Sequence, residues 1–151
     1  MGHQDILQRT SFAHVCGDSI IAAIAGLALY ASFEPVGWWW LSVPALALFM
    51  SRIDEARAPR ALTVTFVFGM SFWVPLIDWI PLAVGTTPPW FVLALVQTLF
   101  FMGWVVFARW TQLWRWARGP FVQAFLFALT WAGVDAARSR WPWSGFPWGS
   151  V

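Results

Sequence analysis

Long apolar segments alternate along this chain with short polar connections that are rich in arginine, proline and glycine. An α-helix needs about 20 apolar residues to cross the core of a bilayer. Five segments approach that length, and they cover residues 19–33, 38–50, 61–83, 89–110 and 120–137. The pattern therefore predicts an all-α integral membrane protein, in which residues 1–151 form one bundle of about five transmembrane helices.

Proline and glycine mark several of the predicted helix ends. The run Glu34-Pro35-Val36-Gly37 predicts a tight turn between the first two helices, with Glu34 exposed. Pro75 and Pro81 are expected to kink or fray the far end of the third helix. Pro89 and Pro120 suit a first helical turn, because the backbone N–H that proline lacks would have no intrahelical acceptor there.

The positions of the arginines predict the orientation of the bundle. Cytoplasmic connections of membrane proteins carry an excess of basic residues. The connections between the second and third helices and between the fourth and fifth helices hold arginines, at positions 52, 57, 60, 109, 115 and 118. The N-terminus is accordingly predicted to be cytoplasmic and the C-terminal end to face the periplasm or outer side. Arg138 and Arg140 then lie on the side where arginine is unusual.

Composition agrees with a membrane location. The chain is 60% hydrophobic and 11% charged, whereas a soluble domain carries about 25% charged residues. All nine basic residues are arginines, and the formal net charge is only +2. These arginines form short clusters beside apolar segments rather than one basic surface. They are typical of topology signals, so membrane lipids are predicted as surroundings and nucleic acid is not predicted as a partner.

The sequence offers no catalytic, metal or cofactor constellation. A catalytic nucleophile needs a neighbouring base and a group that orients the base, and nothing near Cys16 supplies them. Cys16 is instead expected to be a small buried hydrophobe. Asp18 is expected at a helix start, where a carboxylate suits the positive end of the helix dipole. No catalytic residue, no metal ligand and no cofactor is predicted.

Polar groups near the predicted outer ends are the candidate site residues. Asp78 and Trp79 lie near the outer end of the third helix, where Asp78 either faces a substrate cavity or is an ordinary solvated carboxylate at a helix end. Asp135 and Arg138 are spaced to pair on one face of the last helix, and the pair either stabilises both charges or belongs to a lipid-binding rim. The tryptophans near helix ends are typical of aromatic belts at the membrane interface.

Three segments resemble apolipoprotein N-acyltransferases, in the form found in actinobacteria. The segment 33–41 is similar to the family's F-x-P-x-x-x-W turn, and Ile77-Asp78-Trp79 resembles its exit from the third helix. Trp131-x-x-x-Asp135-x-x-Arg138, followed by Gly145-Phe146-Pro147-Trp148, resembles W-x-x-x-E-x-x-R followed by G-F-P-W. Asp135 stands where the family usually has glutamate, which keeps the charge.

The resemblance implies a multi-pass protein of the bacterial cell membrane that acts in lipoprotein maturation. Such an enzyme transfers an acyl chain from a phospholipid to the N-terminal diacylglyceryl-cysteine of a lipoprotein, through a thioester. Its nitrilase-like domain holds a Glu-Lys-Cys triad, and this chain contains no lysine. We therefore expect the membrane part alone, without the catalytic domain and not catalytic by itself. The resemblance implies as substrate-cavity candidates Asp78, Trp79, Asp135, Arg138, Phe146 and Trp148.

Two other functions stay open at this point. The chain could be a stand-alone membrane scaffold or anchor for a partner enzyme such as a polyprenol-phosphate mannosyltransferase. A small-molecule transporter is less favoured because no helix interior carries a polar relay. The reading frame beyond Val151 distinguishes a truncated acyltransferase, which continues into further helices and the triad, from a genuine short protein.

Overall fold

The structure, a computed structural model, describes residues 3–110 and 119–140. All regular elements in these ranges are helical, so the all-α prediction is confirmed there. The helices are α1 His3–Tyr30, a 3-10 turn Trp39–Leu41, α2 Ser42–Glu55, α3 Ala58–Leu76, α4 Ile80–Val84, α5 Pro88–Trp110 and α6 Pro120–Arg138. The chain divides into two compact units, Met1–Phe72 and Trp73–Val151, with the boundary near the end of α3.

The first helix begins earlier than the apolar pattern indicates. α1 starts at His3, while its apolar part covers Val15–Tyr30. Asp18 consequently lies inside the helix, and the expectation that it occupies a helix start is wrong. The polar residues before it contain no proline that would stop a helix, so the helical backbone continues through them. Cys16 is exposed, so its expected burial is also wrong.

The predicted third segment, 61–83, is divided into two helices. Pro75 lies in the last turn of α3, where it removes a backbone donor, and α3 ends at Leu76. Pro81 stands in the first turn of α4, a position that tolerates proline. Gly85 then ends α4 with a φ of 78° and donates its backbone N–H to the Pro81 carbonyl. Only glycine adopts this left-handed backbone without steric cost.

The first unit packs apolar stripes of α1, α2 and α3 against one another. Each stripe repeats every three or four residues, which is the period of one helix face. The buried members are Ala22, Ala25 and Leu29 of α1, Ala45, Phe49 and Ile53 of α2, and Ala61, Val64 and Phe68 of α3. The rings of Phe49 and Phe68 are stacked with centroids 4.0 Å apart. The turn from α1 to α2 leaves Glu34 exposed, as predicted.

The second unit is built mainly on α5 and α6. α5 buries an aromatic stripe that includes Phe101 and Trp104, and α6 contributes Phe127 and Trp131. The polar side chains of these helices are partly satisfied within the helix, because Thr98 and Thr130 donate hydroxyl hydrogen bonds to the carbonyls of the preceding turn. The outer faces of both helices expose large apolar side chains.

Two helices in the described ranges are long and apolar enough to cross a bilayer. They are α5, with 23 residues, and α6, with 19 residues. Val15–Tyr30 forms a shorter apolar helix segment. At 1.5 Å per residue, α5 is about 35 Å long, which exceeds the roughly 30 Å hydrocarbon core of a bilayer. These spans agree with a membrane location.

Candidate functional site

The guanidinium of Arg138 is buried at the C-terminal end of α6. Its side chain is only 1% exposed, while that of Asp135 is 20% exposed. Arg138 donates from Nε to Asp135 Oδ1 at 3.1 Å, and its Nη2 donates to the same oxygen. The pairing predicted from the three-residue spacing is confirmed. A buried arginine requires such a partner, because an isolated charge removed from water is strongly destabilising.

An indole ring forms the second side of the arginine site. The guanidinium carbon of Arg138 lies 4.9 Å from the ring centroid of Trp73, which is fully buried near the end of α3. A cation within about 6 Å of an indole centroid is attracted by the negative face of the ring. Arg138 is thus held by a carboxylate on its own helix and by an aromatic ring on another helix.

The aromatic packing extends from Trp73 through α5 to α6. Trp73 lies 5.8 Å from Phe101, and Phe101 lies 4.8 Å from Trp131, measured between ring centroids. Trp131 also meets Trp104 edge to face at 5.6 Å. Edge-to-face and offset arrangements are favoured because they bring the positive edge of one ring to the negative face of another. The three helices are therefore joined by one aromatic cluster.

Helical geometry explains the spacing of the Trp131, Asp135 and Arg138 motif. Residues four and seven positions apart lie on the same face of an α-helix. Trp131 can therefore enter the aromatic cluster while Arg138, about two turns later, reaches Trp73 from the same face. Asp135 lies between them in the sequence, and its carboxylate accepts hydrogen bonds from the Arg138 guanidinium. The motif describes one packed helix face.

Asp78 and Trp79 lie in the turn between α3 and α4. Both side chains are exposed, and Asp78 forms no ion pair with the arginines of ranges 3–110 and 119–140. The structure therefore does not join Asp78 to the Asp135–Arg138 pair. Nearby, Trp90 donates its indole N–H to the Val74 carbonyl at 2.8 Å, which satisfies an acceptor in the last turn of α3. Phe146 and Trp148 lie outside the described residues.

An open apolar cleft lies between α5 and α6. Its volume is about 430 Å³, and its lining includes Leu99, Phe100 and Phe107 of α5 and Val134 and Ala137 of α6. Small-molecule pockets have volumes of about 300–1,000 Å³. The cleft has almost no polar lining, so it suits a hydrocarbon chain better than a polar ligand.

The two arginines near the end of α6 have different surroundings. Arg140 is exposed, whereas Arg138 is buried against Trp73, so the structure favours the alternative in which the Asp135–Arg138 pair stabilises both charges. Trp73 is not among the site residues predicted from the sequence. Its only signal was its position, because it lies in the middle of an apolar segment, whereas tryptophans of an aromatic belt lie near helix ends. No group of three or more possible metal ligands occurs within the described ranges.

Comparison with known proteins identifies relatives for most of the chain. The family model for the apolipoprotein N-acyltransferase N-terminal domain matches residues 25–151. Apolipoprotein N-acyltransferase of Mycolicibacterium smegmatis is 38% identical over 87 residues, which are 56% of this chain and 14% of that protein. The Aquifex aeolicus enzyme of the same name is 29% identical over 126 residues, or 83% of this chain and 27% of that protein. The chain thus spans a small part of these relatives, and no solved structure matches it.

Proposed function

Because the chain belongs to the apolipoprotein N-acyltransferase family, we propose that it forms the membrane part of an enzyme of lipoprotein maturation. The enzyme transfers an acyl chain from a phospholipid to the N-terminal diacylglyceryl-cysteine of a lipoprotein. The match of the N-terminal domain model to residues 25–151 is the observation that carries this proposal. The matched part includes all four substrate-cavity candidates that the structure describes.

The proposed role of these 151 residues is to hold lipids rather than to perform the chemistry. The Glu-Lys-Cys triad implied by the resemblance cannot lie within them, because they contain no lysine. The apolar cleft of α5 and α6 offers a surface for an acyl chain. Asp78 and Trp79, both exposed in the α3–α4 turn, are available to a substrate headgroup.

Arg138 is proposed as a positioning residue. Its guanidinium is committed to Asp135 and Trp73, so it fixes the end of α6 and does not itself bind a headgroup. The segment Gly145-Phe146-Pro147-Trp148 follows in the sequence, and we place Phe146 and Trp148 at the substrate. A fixed helix end limits the conformations open to the segment after it, which reduces the entropy lost when a substrate is bound.

The proposed topology has five membrane crossings in a bacterial cell membrane. α5 and α6 supply two crossings, and the apolar segments of α1, α2 and α3 supply the other three. The N-terminus lies in the cytoplasm, because the arginine-rich connections are then cytoplasmic. The α3–α4 turn and the end of α6 then face outward, where lipoproteins are acylated by the family.

The test is to express the complete gene in a bacterial strain depleted of its own apolipoprotein N-acyltransferase. Mass spectrometry of the N-terminal lipopeptide of a lipoprotein then reports a third acyl chain. We expect the gene to restore this chain and the Arg138→Gln variant to lower its yield several-fold, since loss of a buried ion-pair partner destabilises the protein and reduces its abundance. Arg140→Gln, at an exposed arginine of the same helix end, serves as the control and is expected to retain the activity.

Membrane insertion of the protein without any third acyl chain would contradict the proposal and favour a scaffold. The 151-residue chain alone provides a second test. We expect it to form no thioester with labelled phospholipid. A stable adduct on Cys16 would show that the proposed division between lipid binding and chemistry is wrong.

A further inference from the structure

The apolar cleft between α5 and α6 has the length of a lipid chain in one leaflet. Its wall on α5 follows one face of the helix and is formed by Val96, Leu99, Phe100, Gly103 and Phe107. From Val96 to Phe107 this face is about 16 Å long, because an α-helix rises about 1.5 Å per residue. One leaflet contributes about 15 Å to the roughly 30 Å hydrocarbon core of a bilayer.

The cleft is also narrow. Its volume of about 430 Å³, spread over about 16 Å, corresponds to a mean cross-section of about 27 Å². Non-bonded carbon atoms stay about 4 Å apart, so a cleft of this cross-section admits one hydrocarbon chain and not two side by side. The width therefore favours the single acyl chain that is transferred over the paired chains of a diacylglyceryl group.

Gly103 lies in the middle of this helix face, and the packing of the protein does not require glycine there. A Cβ atom at Gly103 would meet no atom within 4 Å, whereas one at Gly26 would collide with α3. Glycine is the poorest helix former after proline, so a larger residue at Gly103 would favour the helical backbone of α5. The space beside Gly103 is therefore open to an occupant of the cleft.

The polar end of a bound lipid belongs at the Val96 end of the cleft. Ring contacts show that α5 and α6 are antiparallel, and these contacts are Trp104–Phe127 and Phe101–Trp131. Ala137 of the lining consequently lies toward Val96, and the segment 145–148 that we place at the substrate follows Ala137 in the sequence. The cleft has almost no polar lining, so an ester carbonyl inside it would lack a hydrogen-bond donor.

We propose that the cleft holds the hydrocarbon part of the transferred acyl chain and that Gly103 sets the longest chain that fits. This inference rests on the proposed acyl transfer. The carbonyl end of the chain lies at Val96, and its methyl end extends toward Phe107. A larger side chain at Gly103 would close the cleft about 10 Å from Val96 and exclude chains that extend further.

The experiment uses the complete gene in the bacterial strain depleted of its own apolipoprotein N-acyltransferase. Mass spectrometry gives the length of the third acyl chain, and the amount of each chain is divided by its abundance in the phospholipids of the same cells. We expect Gly103→Leu to retain N-acylation but to lower the normalised ratio of palmitoyl to shorter chains. The expected decrease is about tenfold, as for a misfit of one methylene group in an apolar pocket.

Ala132→Leu is the matched control. It adds the same side chain to an exposed position of α6, two residues before Val134 of the lining. Residues two apart do not share a helix face, so this leucine points away from the cleft. We expect the wild-type ratio of chain lengths in this variant.

An unchanged ratio in Gly103→Leu with N-acylation retained would overturn this inference and leave the proposed acyl transfer standing. A later helix of the full-length protein in the cleft would give that result. An equal shift in Ala132→Leu would also overturn the inference, because it would show a general effect of leucine in these helices. Absence of a third acyl chain from the wild type would contradict the proposed acyl transfer itself, and this inference with it.

Phe107→Ala covers the case in which Gly103→Leu does not fold or gives no third acyl chain. Removal of the Phe107 ring extends the cleft at the end away from Val96. We expect the normalised ratio of stearoyl to palmitoyl chains to rise several-fold. The wild-type ratio in Phe107→Ala would contradict a chain that extends along this face of α5.

Discussion

Gly26 sets the distance between α1 and α3. A Cβ atom at this position would lie 2.9 Å from Ser71 Cβ and 3.2 Å from the Phe72 nitrogen, with the Phe68 carbonyl oxygen closer still. Two of these three atoms belong to the α3 backbone, which cannot move aside as a flexible side chain can. Glycine is therefore required here by packing and not by its backbone angles.

We expect Gly26→Ala to destabilise the protein by about 1–3 kcal/mol, the usual effect of overpacking a close contact. Gly17→Ala is the matched control, because Gly17 lies on the same helix with nothing within 4 Å of its virtual Cβ. Gly17→Ala should leave the free energy of unfolding unchanged or raise it by up to about 1 kcal/mol, because alanine has the higher helix propensity. Unfolding of the purified chain in detergent micelles, followed by tryptophan fluorescence, gives both values. Equal stability of the two variants would refute the close approach.

Arg138 shows how far residue spacing can predict a site. The three-residue separation from Asp135 was enough to predict the ion pair, since neighbours on a helix are fixed by its geometry. The burial of the pair depends on Trp73, which is distant in the sequence. No local pattern contains that contact. The sequence therefore left open whether the pair only stabilises both charges or belongs to a lipid-binding rim, and the burial of Arg138 favours the first alternative.

The break between α3 and α4 is the main departure among the elements. Hydropathy is continuous over residues 61–83, so it predicts one segment. Backbone chemistry divides it, because Pro75 and Pro81 each lack a donor and Gly85 takes a left-handed conformation. The prolines were visible in the sequence as expected kinks. At the end of α3, a tertiary contact supplies a donor that the helix itself lacks, because the Trp90 indole N–H bonds the Val74 carbonyl.

Replacing Trp90 tests this contact between α5 and the end of α3. We expect Trp90→Phe to destabilise the protein by about 0.5–1.5 kcal/mol, because the Val74 carbonyl loses its indole donor while most of the apolar ring is kept. Hydrogen exchange should also become faster in the α3–α4 turn. Trp110→Phe makes the same replacement at the other end of α5, where the indole is 79% exposed, and should have little effect. Similar changes in both variants would contradict a specific role for the hydrogen bond.

For the whole molecule, the outer surface is the property that decides its environment. α6 exposes Phe121, Phe125 and Leu129, which recur every four residues along one side, and α5 exposes Phe91 and Leu95 near its start. In water such apolar surfaces would favour association. In a bilayer the same surfaces contact lipid chains, so they are not exposed to water. The exposed faces therefore agree with the membrane location indicated by the two long apolar helices.

Cysteine labelling tests the orientation predicted from the arginines. In a Cys16→Ser background, single cysteines are placed at two exposed positions, Ala58 at the start of α3 and Thr86 between α4 and α5. We expect a membrane-impermeant maleimide to modify Thr86→Cys in spheroplasts and Ala58→Cys only after lysis, because the arginine-rich connection is cytoplasmic. Reversed labelling would contradict the proposed topology.

The sequence by itself determined the helical class, the apolar segments, the family and the Asp135–Arg138 pair. These follow from residues close together in the chain or from motifs that persist in relatives. Only the tertiary structure decided that Asp18 meets Arg52 and Arg60. It also decided that Arg138 packs on Trp73 and that α1 approaches α3 at Gly26. Such contacts depend on which faces of distant helices meet, and hydropathy and helical period specify a face without specifying its partner.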